Sequence, residues 1–413
     1  MNRWWTTSIL ALLIVGLLLA GTLARTKLVE VRRAAGLVPA ELFKLPPVGA
    51  ASVVLLGGFR GVAVDILWIK ALTYHEQRQY VEERALIELI AQVQPHFISV
   101  WAFLAQTIAY DIAVQEADPR DQWPWIQDAV AYIRKGIEQN PKSGELYFYL
   151  GQIYRHKMSQ EPYFEDACER DLGANNFDAA AAAYETSCDL SWGPEFPFAP
   201  RVVAGSVYYS YYSRVEQILR RSTLTADLEF PPETLRQAEP YLAKCRAWSD
   251  RLNRDFPQDQ AYVTLPARIE MALADGYLDR VKRLIVEGNY SDAAIAQARK
   301  MLDKSVLEMD NIRTKYRDAR IEWVFRAKSV DAWTRIPLAL VRHTGEVMLR
   351  PDKTDADVHR CAQWIRAAAV DLDRVPEAHK SDPEIASLRD FVTRAVADFD
   401  QHSREHAGQG TPR

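Results

Sequence analysis

Residues 147–154 read Tyr147-Phe148-Tyr149-Leu150-Gly151-Gln152-Ile153-Tyr154. Steps of three and four place Tyr147, Leu150, Gly151 and Tyr154 on one side of a helix. A glycine among large side chains lets a second helix backbone approach, and an aromatic nearby fills the groove beside that contact. Pro141 stands six residues before Tyr147, where it stops the preceding helix and starts a turn. The arrangement occurs earlier too: Pro95 is followed six residues later by Trp101, then by Leu104 and Ala105. Ala129 and Ile133 ahead of Pro141 supply a helix for it to pack on. Asn176-Phe177-Asp178-Ala179-Ala180 with Tyr184 repeats that form, and Gly288-Asn289-Tyr290-Ser291-Asp292-Ala293 opens a further helix the same way. From Gly61 onward apolar residues keep helical spacing, as in Ile66, Ile69, Leu86, Leu89, Ile90 and Val93, and no alternating strand pattern intervenes.

The run at Tyr147 is similar to the first helix of a tetratricopeptide repeat, and the Ala129 and Ala180–Tyr184 helices to its second. The expected fold is all-α: an N-terminal transmembrane helix, then a tetratricopeptide-like α-solenoid of antiparallel helix pairs over 51–230, then a helical C-terminal extension over 231–400. Trp68, Pro95, Trp101, Leu104, Ala129, Pro141, Tyr147, Leu150, Gly151, Tyr154, Ala180 and Tyr184 are the expected packing residues. The spacing departs from the ideal of about 34 residues, because Pro95 and Pro141 are 46 apart. An insert, Met158 to Asn176, interrupts the third pair. It carries Glu161, Glu165, Asp166, Glu169 and Asp171, lacks the turn glycine of a calcium loop, and reads as a solvated loop. Tyr262 to Glu287 reads as one uninterrupted helix. The polar tail 401–413 reads as disordered.

Ahead of this body, the 21 residues Trp4–Ala24 carry no charge. At ~1.5 Å rise per residue they reach about 30 Å, the thickness of a bilayer's hydrocarbon core. Trp4-Trp5 stands where indoles favour the headgroup level. A signal peptide cut after Ala24 is the competing reading, but the uncharged run exceeds the ~7–15 residues of a signal core. Residues 25–50 form a linker, basic at first, and Ala50–Phe59 is apolar but too short to span. Arg25, Lys27, Arg32 and Arg33 outnumber Arg3, which by the positive-inside rule keeps the body cytoplasmic. An apolar segment so near the N-terminus is, however, the usual form of an export-directing anchor, and the body is read as extracytoplasmic. A net charge of -4 leaves no basic field for nucleic acid. The four cysteines, Cys168, Cys188, Cys245 and Cys361, form no C-x-x-C pair. Cys168 and Cys188 flank the insert, either as a disulfide or as two thiols.

Gly58-Phe59-Arg60, Asp65-Ile66-Leu67-Trp68 and Pro95-His96-Phe97 together resemble a group of bacterial membrane-anchored tetratricopeptide proteins, over roughly 55–190. The resemblance implies a helical repeat scaffold in a bacterial cell membrane and carries no catalytic activity with it.

Chemical motifs fail on inspection. His75-Glu76 lacks the second histidine of a zinc-protease helix, its place being taken by Gln79, and reads as a surface polar pair. Gly57-Gly58-Phe59-Arg60-Gly61 has no following Lys-Ser/Thr for phosphate and reads as a turn, with Arg60 and Asp65 available to pair. No cofactor, metal or catalytic cluster is expected. Tyr208, Tyr211 and Tyr212 share a buried face, leaving Tyr209 elsewhere. Tyr209 and Arg155 are therefore the expected partner-binding residues, Arg155 pointing away from the packed side. The reading is a single-pass, membrane-tethered scaffold, not an enzyme, that binds other proteins. The alternatives are an enzyme with a pocket against the C-terminal helices and a structural envelope component. If Trp4–Ala24 is retained, the full chain should resist carbonate extraction from membranes, and a mature terminus at Arg25 by mass spectrometry would overturn this.

Overall fold

The computed structural model describes residues 60–190, 200–286, 290–316 and 319–408. The expected anchor Trp4–Ala24, the linker 25–50, residues 57–59 and the Arg60 side chain lie outside that description. Among the described residues all regular structure is helical. The first helices are α1 (Arg60–Glu76), α2 (Tyr80–Val93), α3 (Ile98–Gln106), α4 (Pro119–Gln139), α5 (Gly144–Gln152) and α6 (Pro162–Ala167). Then come α7 (Asn176–Asp189), α8 (Pro200–Arg221), α9 (Pro232–Asp255), α10 (Gln260–Val263), α11 (Leu265–Glu270) and α12 (Ala272–Val286). The last are α13 (Asp292–Lys315), α14 (Ala319–Met348), α15 (Asp355–Asp373), α16 (Glu377–Lys380) and α17 (Pro383–Gly408). No helix among the described residues is long and apolar enough to cross a membrane.

These residues fall into two compact units, 60–107 with Glu138–Asn140, and Ile108–Ile137 with 141–408. The division falls at Thr107.

In the first unit, α1 packs on α2 and buries Val64 and Ala71. The Pro95 turn is held by its own carbonyl, which accepts from the Trp101 indole at 2.9 Å and the Asn140 amide at 2.8 Å. The half-buried Trp68 ring lies 5.7 Å from Phe97 and 5.2 Å from Phe103. Pro95, Trp101 and Leu104 are buried. His75, however, is no surface partner of Glu76. It is half-buried and reaches Glu83, which is fully buried, at 3.2 Å.

In the second unit, sequence-adjacent helices pack on one another: α7 on α8, α8 on α9, α12 on α13 and α14 on α15. Ala129, Ile133, Leu150, Gly151, Tyr154, Ala180 and Tyr184 are all buried. Tyr147 is only half-buried, and Pro141 is exposed, because its part is to end α4 and not to pack. A Cβ on Gly151 would stand 2.8 Å from the Tyr184 ring, so the residue touching Gly151 is that aromatic side chain and not a helix backbone. Gly276 meets the Phe230 ring in the same way, at 2.9 Å. Several helix starts are capped by polar side chains. Asn175 accepts from Phe177 N, Ser291 from Ala294 N, and Thr354 forms a reciprocal capping box with Asp357.

Several expectations are corrected. The 262–287 helix is three segments, broken after Val263 and at Met271; Pro266 has no N–H to continue the ladder at the first break. The acidic insert is not a solvated loop: it folds into α6, buries Phe164 and Ala167, and holds Glu165 at 2% exposure. Of the two alternatives left open for Cys168 and Cys188, the structure has the free thiols, as it has at Cys245 and Cys361. Finally, α17 continues to Gly408, past the boundary expected at Gln401.

Gly151→Leu should overpack the Tyr184 contact and cost about 1–3 kcal/mol. Trp101→Ala should cost about 3–5 kcal/mol, through the cavity it leaves. Denaturant unfolding of both variants checks this, and unchanged midpoints would contradict the packing.

Candidate functional site

Within the second unit a cleft of about 340 Å³ opens between α8 and α12, closed at one end by the turn that follows α5. That turn, Ile153–Lys157, widens from α-helical to π geometry, with Met158 N bonded back to the Ile153 carbonyl at 3.1 Å. The extra residue per turn buries both Tyr154 and Lys157 while presenting Arg155 and His156 to the cleft. Lys157 is 1% exposed, its ammonium 5.8 Å from the Tyr110 ring and 5.7 Å from Phe164, and burial lowers its pKa.

The wall from α8 is set by a buried polar network. Gln217, 1% exposed, accepts from Asn175 Nδ2 at 2.7 Å and donates to Asn176 Oδ1 at 3.3 Å. Asn176 in turn donates to the Tyr154 carbonyl at 3.2 Å. These bonds tie the start of α7 to both α8 and the π turn. The facing wall is α12, where the Phe230 ring occupies the recess at Gly276.

Most charges lining the cleft already have partners. Glu165 is ion-paired with Arg220, whose guanidinium reaches both carboxylate oxygens, and with Arg221 at 3.5 Å. Asp275 accepts from Lys328 Nζ at 2.6 Å and from the Tyr212 hydroxyl at 3.0 Å. Asp279 pairs with Arg283. Glu216 makes no side-chain hydrogen bond or ion pair with a described residue. Glu216 is exposed to solvent, and its carboxyl is hemmed in only by the groups that line the half-open cleft. That partial desolvation, reinforced by the nearby charges of Asp275 and Asp279, raises its pKa from the ordinary 4.5 to about 7; Lys328 and Arg155 oppose the rise.

Arg155 is the counterpart. Its guanidinium lies over the Tyr209 ring at 5.6 Å, and its buried Nε has no hydrogen-bond partner. The two residues expected to bind a partner are thus brought together, but differently from the expectation. Arg155 is half-buried in the cleft and braced by Tyr209, not projecting freely. Tyr209 is half-buried as well, with its ring edge-on to Tyr208 at 5.2 Å. Tyr208 and Tyr211 are buried, and Tyr212 partly so.

Sequence reading did not find Glu216, Asp275 or Lys328. Glu216 lies one turn beyond the tyrosine patch, but nothing local marks it as facing α12. No group of three or more His, Cys, Asp or Glu side chains able to hold a metal ion occurs among the described residues. No protein-family model matches the sequence, and no curated protein matches it.

The raised Glu216 pKa fixes the sign of a pH effect. Folding favours the neutral acid, so no penalty exists below about pH 4.5. The penalty grows as pH rises toward 7 and is constant above. Glu216→Gln should therefore melt higher than the wild-type protein at pH 8, with the difference vanishing at pH 4. A pH-independent difference would contradict the assignment.

Proposed function

We propose that this chain is a membrane-tethered helical-repeat scaffold whose α8–α12 cleft captures a segment of a partner protein. The observation that carries the reading is a pair of charged groups that line one cleft without an ion pair to a described residue, Glu216 and the Arg155 guanidinium. In this reading Arg155 takes a partner carboxylate and Glu216 a partner cation or hydrogen-bond donor. Tyr209 holds the guanidinium in place, which reduces the freedom lost on binding. The partly open, mixed polar and apolar lining suits an extended polypeptide segment, since the neighbouring charges are already neutralised and do not compete. The glycine–aromatic packing of Gly151 and Tyr184 supports the tetratricopeptide-like solenoid. The Trp68–Phe97–Phe103 cluster supports likeness to the bacterial membrane-anchored group, and the tether itself rests on the uncharged run Trp4–Ala24.

A second reading draws on one observation: a carboxyl group titrating near 7 in a cleft is suited to general acid–base chemistry. Under it, Glu216 would move a proton on a small substrate instead of pairing with a peptide.

Crosslinking and recovery of partners from native membranes tests the scaffold reading. A charge-assisted hydrogen bond contributes about 1.5–3 kcal/mol. Combining Arg155→Ala with Tyr209→Ala should therefore cut recovery of specific partners about tenfold or more while leaving the fold nearly intact. Wild-type recovery of every partner would defeat the proposal.

A further inference from the structure

Helix α1 is apolar on two opposite faces. At about 100° per residue, Val64 and Ala71 point to the side packed on α2 and are 3% and 0% exposed. Val62, Ile66 and Ile69 point the other way and are 55%, 62% and 65% exposed. Thr73 continues the row one turn further on, and Lys70 and Asp65 flank it, all exposed. A surface helix of a water-facing protein carries polar residues on its outer side. Here the outer side is an aliphatic ridge.

The geometry points to a lipid bilayer as the surface this ridge meets: we propose that Val62, Ile66 and Ile69 insert among the lipids at the membrane interface. The proposal rests on the reading of this chain as membrane-tethered. Three observations favour lipid over protein. In the sequence, the ten residues immediately before α1, Ala50–Phe59, carry no charge. A stretch of that length is suited to an interfacial position, not to spanning. The ridge also consists of β-branched aliphatic side chains, without the Trp, Tyr or Arg anchors in which protein interfaces are enriched. A fluid hydrocarbon surface asks for no shape complementarity, which such a narrow row does not offer. Lastly, Lys70 stands beside the ridge with its ammonium over Tyr74 at 5.6 Å, where a headgroup phosphate can reach it.

The test uses the full chain in phosphatidylcholine/phosphatidylglycerol vesicles. The photoreactive residue p-benzoylphenylalanine is placed singly at Leu13, Ile66, Ile69 or the exposed Arg236, and mass spectrometry identifies the adducts formed on irradiation. Lipid adducts at Ile66 and Ile69 in yields comparable to those at Leu13, and absent at Arg236, are expected. Adducts at Leu13 with none at Ile66 or Ile69 overturn the ridge proposal and leave the anchor standing. Products joining Ile66 to residues 50–59, to a second copy or to another protein also overturn it, each naming a different occupant. Lipid adducts at Ile66 and Ile69 without any at Leu13 uphold the ridge and overturn the anchor. Absence of lipid adducts at all three positions overturns both.

Discussion

An aromatic ring seated against a helical glycine is the contact on which the second unit depends. Tyr184 lies so close to Gly151 that a single added carbon would stand 2.8 Å from the ring, and Phe230 lies almost as close to Gly276. Interiors packed to crystal-like density cannot absorb an extra side chain there without moving a helix. The Tyr184 contact holds α7 against α5, and with it the π turn that carries Arg155. The Phe230 contact backs α12 at the residue that lines the cleft. Fold and site therefore share the same two recesses, and the position of the walls follows from where glycine allows rings to sit.

The cleft between those walls is defined as much by which charges are spent as by which are present. Arg220, Lys328 and Arg283 each neutralise a neighbouring carboxylate. Glu165 shows why this matters: at 2% exposure an unpaired carboxylate would be strongly unfavourable, and the guanidinium from α8 removes that penalty. What is left over is a carboxyl group raised toward neutrality and a guanidinium held by a tyrosine face. A raised pKa at Glu216 is itself the mark of an incomplete electrostatic environment, since a committed partner cation would have lowered it. The same logic separates Glu216 from Asp275, whose lysine and tyrosine partners are in place.

The first unit is organised around a different acceptor, the Pro95 carbonyl, which a buried indole and an amide share. This arrangement explains why proline, an aromatic two residues on and a tryptophan six residues on occur together. The proline ends α2, Phe97 packs on Trp68, and Trp101 closes the turn. With α1 fastened on that side, its aliphatic row is left exposed, and no helix among the described residues covers it.

Local spacing determined much of this. Helical class and the inward-facing positions of Ala129, Ala180 and Tyr184 follow from spacing of three and four residues, which sequence records directly. The Gly151 recess was legible as a close approach, but its occupant was not, since the aromatic that fills it belongs to another helix. The insert misled because acidic residues in a row suggest solvation, and only the arginines of α8 make burying Glu165 possible. Likewise the 262–287 run keeps helical periodicity through its breaks, which depend on Pro266 and on packing. Arg155 and Tyr209 could be singled out from helix faces, while Glu216, Asp275 and Lys328 could not. The residues that make the cleft lie on helices distant in sequence, and the partners that neutralise or spare each charge are chosen only when tertiary packing sets α8, α12 and α14 side by side.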